Sequence, residues 1–497
     1  MPGSPDILAA EIIDADAHDP VEIVAASALG GSSHWWGGRC LPLDPVDLRS
    51  WPIGWNELLP WWRHAAEQIG AGALIELPAP GNFGALGKFH ATTAESWAPD
   101  PNLSRRWRNR IRAVDGPAIV LGARVIGLRH EAGKIADIEV RTQAGIRAVK
   151  AGCFVLTCGG LGVMRLLLMA QRAEPHLFGG PDGPLGRGYM GHLTGSIADL
   201  VFADKRDAEA FNFIETEGGY FQRRRILPHA DTVVDDGIVN IAWWLDSPAR
   251  GEASHGSATA SARFLAASAV RVIAGKWTAE QLPPLAPHFA NVGKAPFTAA
   301  IGLTQTAWTL AASRVMRQRH LPRRFLSAGG GWRMVYHAEQ ICHPGNRISL
   351  SEQRDSLGLP KLRIDFRFDQ EDIASVVRAH ELLDKDLQAA GLGKLRWRYG
   401  DGAHAAVADA ARDGYHQLGG AVISDAPADG VVDRNCQAHG LENLFIASGC
   451  VFPTGGQANP TLTIVALACR LAEHIASLRR PVSARSAVAT SAVSEPV

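Results

Sequence analysis

Residues 443–464 read NLFIASGCVFPTGGQANPTLTI, and this stretch decides the fold class. An apolar run, Leu444 to Ile446, enters a glycine turn at Gly449; a loop through Gly455 and Gly456 then ends in Asn459-Pro460-Thr461. Asn459 is a favoured N-cap, and Pro460 suits the first helical position, where its missing amide proton would have had no partner. Ile464, Leu467, Ala468, Leu471, Ile475 and Leu478 follow at helical spacing, so one face packs inward and the helix start is aimed at a site. Unpaired amides and the positive end of the helix dipole favour an anion there. Taken alone, the same signals also describe an ordinary well-capped core helix.

Two further stretches share this strand-and-glycine character. Residues 28–40, ALGGSSHWWGGRC, place a Gly30-Gly31 turn before a pair of tryptophans. Residues 153–160, CFVLTCGG, form a short apolar run ending in Gly159-Gly160, ahead of Leu161, Met164, Leu167 and Leu168 at helical spacing. In this order, and together with residues 431–477, the three motifs resemble the glucose-methanol-choline (GMC) family of FAD-dependent oxidoreductases. The resemblance implies an α/β (α+β) chain, in which an N-terminally incomplete, Rossmann-like FAD-binding domain is interleaved with a substrate domain built on an antiparallel sheet. It implies FAD contacts from Gly30, Gly31, Ser32, Ser33, His34, Trp36 and Gly37 in the early loop and from Val125. Further contacts are implied for Cys158, Gly159 and Gly160, and for Ser448, Gly449, Thr461 and Leu462. No metal is expected.

The chain also departs from the family. Members open with a strand, a G-x-G-x-x-G turn and a helix that hold the FAD pyrophosphate, whereas residues 1–27 contain no glycine beyond Gly3. The glycine spacing recurs at Gly186, Gly188 and Gly191, but no strand precedes it and no helical pattern follows, so it reads as a loop. A start placed too far downstream, a fragment, or a part supplied by another subunit would each account for the missing unit; the first two are favoured. As written, the chain is expected to bind FAD poorly, because a doubly wound sheet without its first strand and helix exposes apolar edges. Aligned on Gly30-Gly31, Trp35 stands where some relatives attach FAD covalently through a histidine, and His34 stands one residue earlier. Ser448 replaces an Asp common in the family.

The chemistry centres on Gly414-Tyr415-His416-Gln417-Leu418-Gly419-Gly420. From the residues alone, a lone histidine before a glycine turn is structural. The resemblance implies that His416 is the base of the family's H-x-x-G-[TG] segment and that Asn459 occupies the second polar position. Alcohol oxidation needs a group that removes the hydroxyl proton while hydride leaves carbon for flavin N5, and an imidazole suits this at neutral pH. Asn459 cannot titrate, so its expected role is to hydrogen-bond the substrate oxygen.

Bulk properties bound the rest. A chain of 497 residues is expected to hold two or three domains. Lysine plus arginine and aspartate plus glutamate each total 50, so no overall field favours nucleic acid or an anionic membrane. The longest apolar stretch, around Leu462 to Ala468, reads as too short for a transmembrane segment. Seven dispersed cysteines read as reduced thiols of a cytoplasmic protein, although a signal peptide lost with a truncated start would leave the same picture.

Composition divides the chain into a partial FAD-binding segment with the flavin loop (1–60), a cap segment of the substrate domain (61–110), an FAD-binding domain (111–199), a substrate-binding domain (200–430), a C-terminal FAD-binding segment (431–480) and a disordered tail (481–497). Strands are expected at Ile348 to Leu350 and Lys361 to Phe366, and a helix from Gln370 to Ala389. Trp35, Trp36, Trp51, Trp55, Trp61 and Trp62 read as packing residues, or alternatively as a wall for a sugar. The run Arg223 to Arg225, and Arg317, Arg319, Arg323 and Arg324, read as solvated faces, or alternatively as a dock for an acidic electron-transfer partner.

The resulting expectation is a flavoprotein that oxidises a CH–OH group of a small-molecule alcohol, with a sugar, glycoside or polyol favoured by the Ser32-Ser33-His34-Trp35-Trp36-Gly37-Gly38 form of the loop. Oxygen, a quinone or a cytochrome is the expected electron acceptor. A catalytically inactive remnant acting as a binding module, and a non-redox FAD-containing lyase of the same fold, are the alternatives.

Overall fold

The structure is a computed structural model that describes residues 8, 10–248, 251–275, 278, 282–316 and 330–478, with 309–316 as backbone only. The expected tail and Arg317, Arg319, Arg323 and Arg324 lie outside the described residues. Along the chain, the strands used below are β1 (Ala10–Ile12), β2 (Arg39–Cys40), β3 (Ala94–Trp97), β4 (Arg124–Glu131), β5 (Lys134–Thr142), β6 (Gly145–Val149), β7 (Phe154–Leu156), β8 (His192–Phe202), β9 (Phe221–Arg224), β10 (Ile241–Asp246), β11 (Gly331–Glu339), β12 (Arg347–Arg354), β13 (Pro360–Asp365), β14 (Gly393–Trp397) and β15 (Leu444–Ile446). The helices are α1 (Trp55–Ile69), α2 (Gly160–Ala173), α3 (Ala258–Ile273), α4 (Ala286–Lys294), α5 (Pro296–Met316), α6 (Gln370–Ala389) and α7 (Thr461–Leu478).

The fold is mixed α/β with mostly antiparallel sheets. A four-stranded antiparallel sheet runs in the order β10-β11-β8-β14, and α6 belongs to the same hydrophobic core. Helix α6 forms where its period predicts. Asp369 and Asp372 cap it reciprocally, and Ile373, Val376, Val377, Leu383 and Leu387 bury one face. Each of these large side chains contributes about 1.5–3 kcal/mol by leaving water.

A second core joins α1, α2 and α7 to the parallel pair β7–β15, whose register sets Phe154 against Leu444 and Leu156 against Ile446. The meander β4-β5-β6 forms a separate three-stranded sheet that precedes β7 in the chain, and β1 lies parallel to β13, which pairs antiparallel with β12. Helix α7 alone, among the described residues, is long and apolar enough to cross a membrane, where the sequence reading found only a shorter apolar stretch. It packs on α1 and sends Leu462, Ala466, Leu467 and Leu471 into the shared core.

Helix α7 begins at Thr461, one step after the position read from the N-cap pattern, and Ile464 N–H bonds the Pro460 carbonyl. The Asn459 side chain is drawn into the site described below, so it does not cap. Arg223 to Arg225 are not a solvated face: they are 3%, 6% and 0% exposed, because β9 pairs with β3 and carries them into the interior.

Candidate active site

His416 is placed by its neighbours in sequence. Tyr415 adopts φ +63°, a strained conformation for a non-glycine residue, and His416 N–H returns to the Asp413 carbonyl. Leu418 and Met190 then exchange backbone hydrogen bonds as an antiparallel bridge. That bridge sets the His416 turn against His192, the first residue of β8. Gly419 permits the approach: at φ +73°, a Cβ there would stand 2.0 Å from the Gly188 carbonyl oxygen. Gly188 belongs to the loop whose glycine spacing imitates a dinucleotide motif, and β8 follows it.

Three imidazoles meet as a result. His416 Nδ1 lies 2.9 Å from His192 Nδ1, and the His192 ring stacks on that of His337 with centroids 4.3 Å apart. His337 comes from β11, whose register sets it opposite Thr194, diagonal to His192. Its Nδ1–H donates to the Gln457 carbonyl at 2.7 Å, and His192 Nε2 is buried without a partner. The ligand-capable nitrogens of His192, His337 and His416 fall within 4.8 Å of one another. Burial, then the His192 ring and then Arg39, hold His416 well below the ordinary imidazole value; burial brings His192 to about 4. The cluster is therefore neutral at physiological pH.

Asn459 Nδ2 lies 3.4 Å from His416 Nε2, and its Oδ1 accepts from Arg225 Nη2 at 3.2 Å. A guanidinium only donates, so Arg225 fixes the amide with its NH2 toward His416. Arg225 also donates to Gln457 Oε1 at 2.9 Å and to Glu95 Oε1 at 2.5 Å. Glu95 additionally accepts from Arg223 Nη2 at 2.7 Å and faces Arg39 Nε at 3.7 Å. Burial pushes the Glu95 carboxyl up, but Arg225, Arg223 and Arg39 outweigh it and hold the group ionised. Arg39 and Arg223 each lie over both Trp97 and Trp244, with Arg39 4.6 Å above the Trp244 ring, and Arg225 lies over Trp244.

Beneath residues 454–459 lies a second buried acidic group. Asn240 Nδ2 donates to Asp44 Oδ2 and Asp47 Oδ1, Gln457 Nε2 donates to Asp44 Oδ2, and Gly456 N–H donates to Glu339 Oε1. Gly456, at φ +59°, leaves the space that the Asp47 carboxylate fills: a Cβ would stand 2.4 Å from Asp47 Oδ2. Trp51 Nε1 donates to Thr454 Oγ1, and Trp62 Nε1 to Thr463 Oγ1. Two of the early tryptophans thus pin the loop and the start of α7, while Trp35 is exposed.

The proposed cofactor residues fall in separate places. Gly30 is left-handed, and Gly31 to His34 form one helical turn in which Ser33 Oγ donates to the Gly30 carbonyl. That turn packs on residues 101–104: Trp36 Nε1 donates to the Pro101 carbonyl, and Ser33 Oγ accepts from Leu103 N–H. Both His34 nitrogens are engaged, by the Leu29 carbonyl and by Asn102 Nδ2. Ser32 lies within this turn and Gly37 follows it, and Val125 sits in β4 opposite Val140. Cys158 and Gly159 are exposed where β7 ends and α2 begins without a side-chain cap; Ser448 and Gly449 follow β15. Thr461 and Leu462 open α7.

Two of these positions, Ser448 and Gly159, leave a polar atom and open space for a ligand such as a flavin nucleotide. Ser448 Oγ is buried without a partner, and a Cβ on Gly159 would meet nothing within 4 Å. Both lie beyond the carboxyl ends of β7 and β15, the side on which open α/β sheets bind ligands. Arg225, Glu95, His192 and His337 were not selected from the sequence. Their signals, a basic run in an alternating strand and a histidine after a glycine loop, point equally to surface.

Residues 343–468 match the family model described as GMC oxidoreductase. It is 23% identical over 508 aligned residues, 90% of this chain and 80% of the relative, to 2-methyl-1,2-propanediol dehydrogenase of Mycolicibacterium austroafricanum. Paromamine 6'-oxidase of Streptomyces fradiae is 32% identical over 136 residues, covering 27% of this chain and 24% of that protein. An FAD-dependent oxidoreductase from Chaetomium thermophilum shares the fold with a TM-score of 0.52 at 16% identity, over 96% of this chain and 92% of the other.

Proposed function

We propose that the protein oxidises a CH–OH group of a sugar, glycoside or polyol, with FAD as cofactor and His416 as the base. The observation that carries this reading is the pairing of His416 Nε2 with the Asn459 amide, 3.4 Å apart beside the start of α7. FAD, when bound, accepts the hydride at N5.

His416 takes the hydroxyl proton on Nε2, and its depressed pKa keeps that nitrogen bare at neutral pH. Its Nδ1–H donates to His192, which holds the ring in one tautomer. Asn459, held by Arg225, donates to the substrate oxygen and keeps it against the base. The relatives named a propanediol dehydrogenase and a paromamine oxidase support the substrate class, and the Ser32 to Gly38 loop supports its sugar end. Electrons leave to oxygen, a quinone or a cytochrome. All seven cysteines are free, which supports a cytoplasmic location.

The test is anaerobic bleaching of the FAD-reconstituted chain across a panel of sugars, polyols and simple alcohols. His416→Ala should slow bleaching by the responsive substrate by roughly a hundredfold. Bleaching at the unsubstituted rate would remove His416 from the reaction, and no bleaching by any hydroxyl compound would remove the reaction itself.

A further inference from the structure

Between β10 and β11 the chain inserts α3, α4 and α5, and this insertion has little core of its own: Ala258, Ala262 and Ala299. Helix α5 rests on α3 through Ala299 and Gly302, where a Cβ on Gly302 would stand 2.3 Å from Thr259. At 3.6 residues per turn, Phe297, Ile301 and Trp308 share about 40° of arc on the opposite side of α5. They are 83%, 57% and 76% exposed. Val270 and Ile273 on α3, and Phe289 on α4, are exposed as well. A helix apolar on both faces is normally covered on both, yet only the α3 side of α5 is packed among the described residues.

Charge selects the occupant. Residues 296–313 contain no charged side chain, while Lys294 precedes them and Arg314, Arg317, Arg319, Arg323 and Arg324 follow. Across residues 256–326 there are nine lysines and arginines against one acid, Glu280, an imbalance hidden by the neutral total. A second copy would bring this same excess of positive charge against itself. An anionic bilayer offers both an apolar boundary for the aromatic stripe and phosphates for the bases.

We propose that the α3–α5 insertion docks the protein on the surface of an anionic lipid bilayer, with Phe297, Ile301 and Trp308 entering the acyl boundary. The helix lies along the surface and does not span, because its other face is taken by α3. This docking is independent of the catalytic reading.

The full-length protein should sediment with phosphatidylcholine vesicles containing phosphatidylglycerol, remain in solution with phosphatidylcholine alone, and be released as salt is raised. The combined variant Phe297→Ser, Ile301→Ser and Trp308→Ser should lower the vesicle-bound fraction at least about tenfold, with an unchanged thermal melt. Failure of the unsubstituted protein to bind the anionic vesicles, or equal binding by the variant, overturns the proposal. A solution dimer dispersed by the same substitutions would also overturn it, by giving this face to a second copy.

Discussion

The imidazoles of His416 and His192 meet Nδ1 to Nδ1 at 2.9 Å, although 224 residues separate them along the chain. One proton serves that contact. Because the Asn459 NH2 faces His416 Nε2, the proton sits on His416 Nδ1, and His192 Nδ1 accepts it. His192→Leu removes the acceptor and frees the base to turn, so flavin reduction by substrate should slow about ten- to a hundredfold. His192 also stands among the groups that depress the His416 pKa. Its removal should therefore move the acid limb of the pH–rate profile upward, toward the ordinary imidazole value, while His192→Asn, whose amide oxygen accepts, should recover part of the rate. An unchanged rate and an unmoved acid limb would show that His192 does not orient the base.

Arg225 and Glu95 predict opposite kinds of damage. Arg225→Lys keeps a charge beside Glu95 but cannot reach Glu95, Gln457 and Asn459 together, so the Asn459 amide loses its fixed direction. Turnover should fall about tenfold or more with a small change in melting temperature. Glu95→Gln leaves Arg223 and Arg225, both almost wholly buried, without their shared carboxylate. Stability should fall by about 3–5 kcal/mol. Urea melts of the two variants decide the matter: a Glu95→Gln protein as stable as the parent would refute the buried ionic network.

Legibility tracked the range of the interactions. Helix α6 was readable because its period and its Asp369–Asp372 box are local, and β12 and β13 were readable from apolar runs on either side of a polar turn. The start of α7 was misplaced by one residue, because the rule that makes Asn459 a cap cannot know that Arg225, 234 positions away, claims its side chain. Arg223 to Arg225 looked like surface for the same reason: the carboxylate that makes their burial tolerable is Glu95, 128 residues before Arg223. The sequence pointed to His416 and Asn459 through a resemblance, and the fold brings them within 3.4 Å of each other. Nothing local marked His192 or His337, since a single histidine at a strand's start and another near a strand's end carry no pattern until the sheet brings them together.

Outside the site, His380 predicts how stability depends on pH. It is fully buried on α6; its Nδ1–H donates to the Val376 carbonyl at 2.7 Å, and its Nε2 accepts from Trp243 Nε1–H at 2.9 Å. Both nitrogens are used in the neutral form, and burial lowers the pKa from 6.5 to about 4. Between those values the unfolded chain holds a proton that the folded chain refuses, so this contribution is present above pH 6.5 and lost as pH falls toward 4. The span corresponds to about 3 kcal/mol. Glu339 and Asp413 act in the other direction: burial raises both to about 7, and their contribution is lost as pH rises toward that value. A single pH curve therefore mixes the two, and the comparison with His380→Leu separates them. At pH 7 the variant should be less stable by about 1–3 kcal/mol, because Trp243 loses its acceptor. By pH 4 that deficit should shrink by about 3 kcal/mol or reverse. Urea unfolding at the two pH values measures it, and a deficit that stays constant would mean that His380 does not exclude its proton in the folded state.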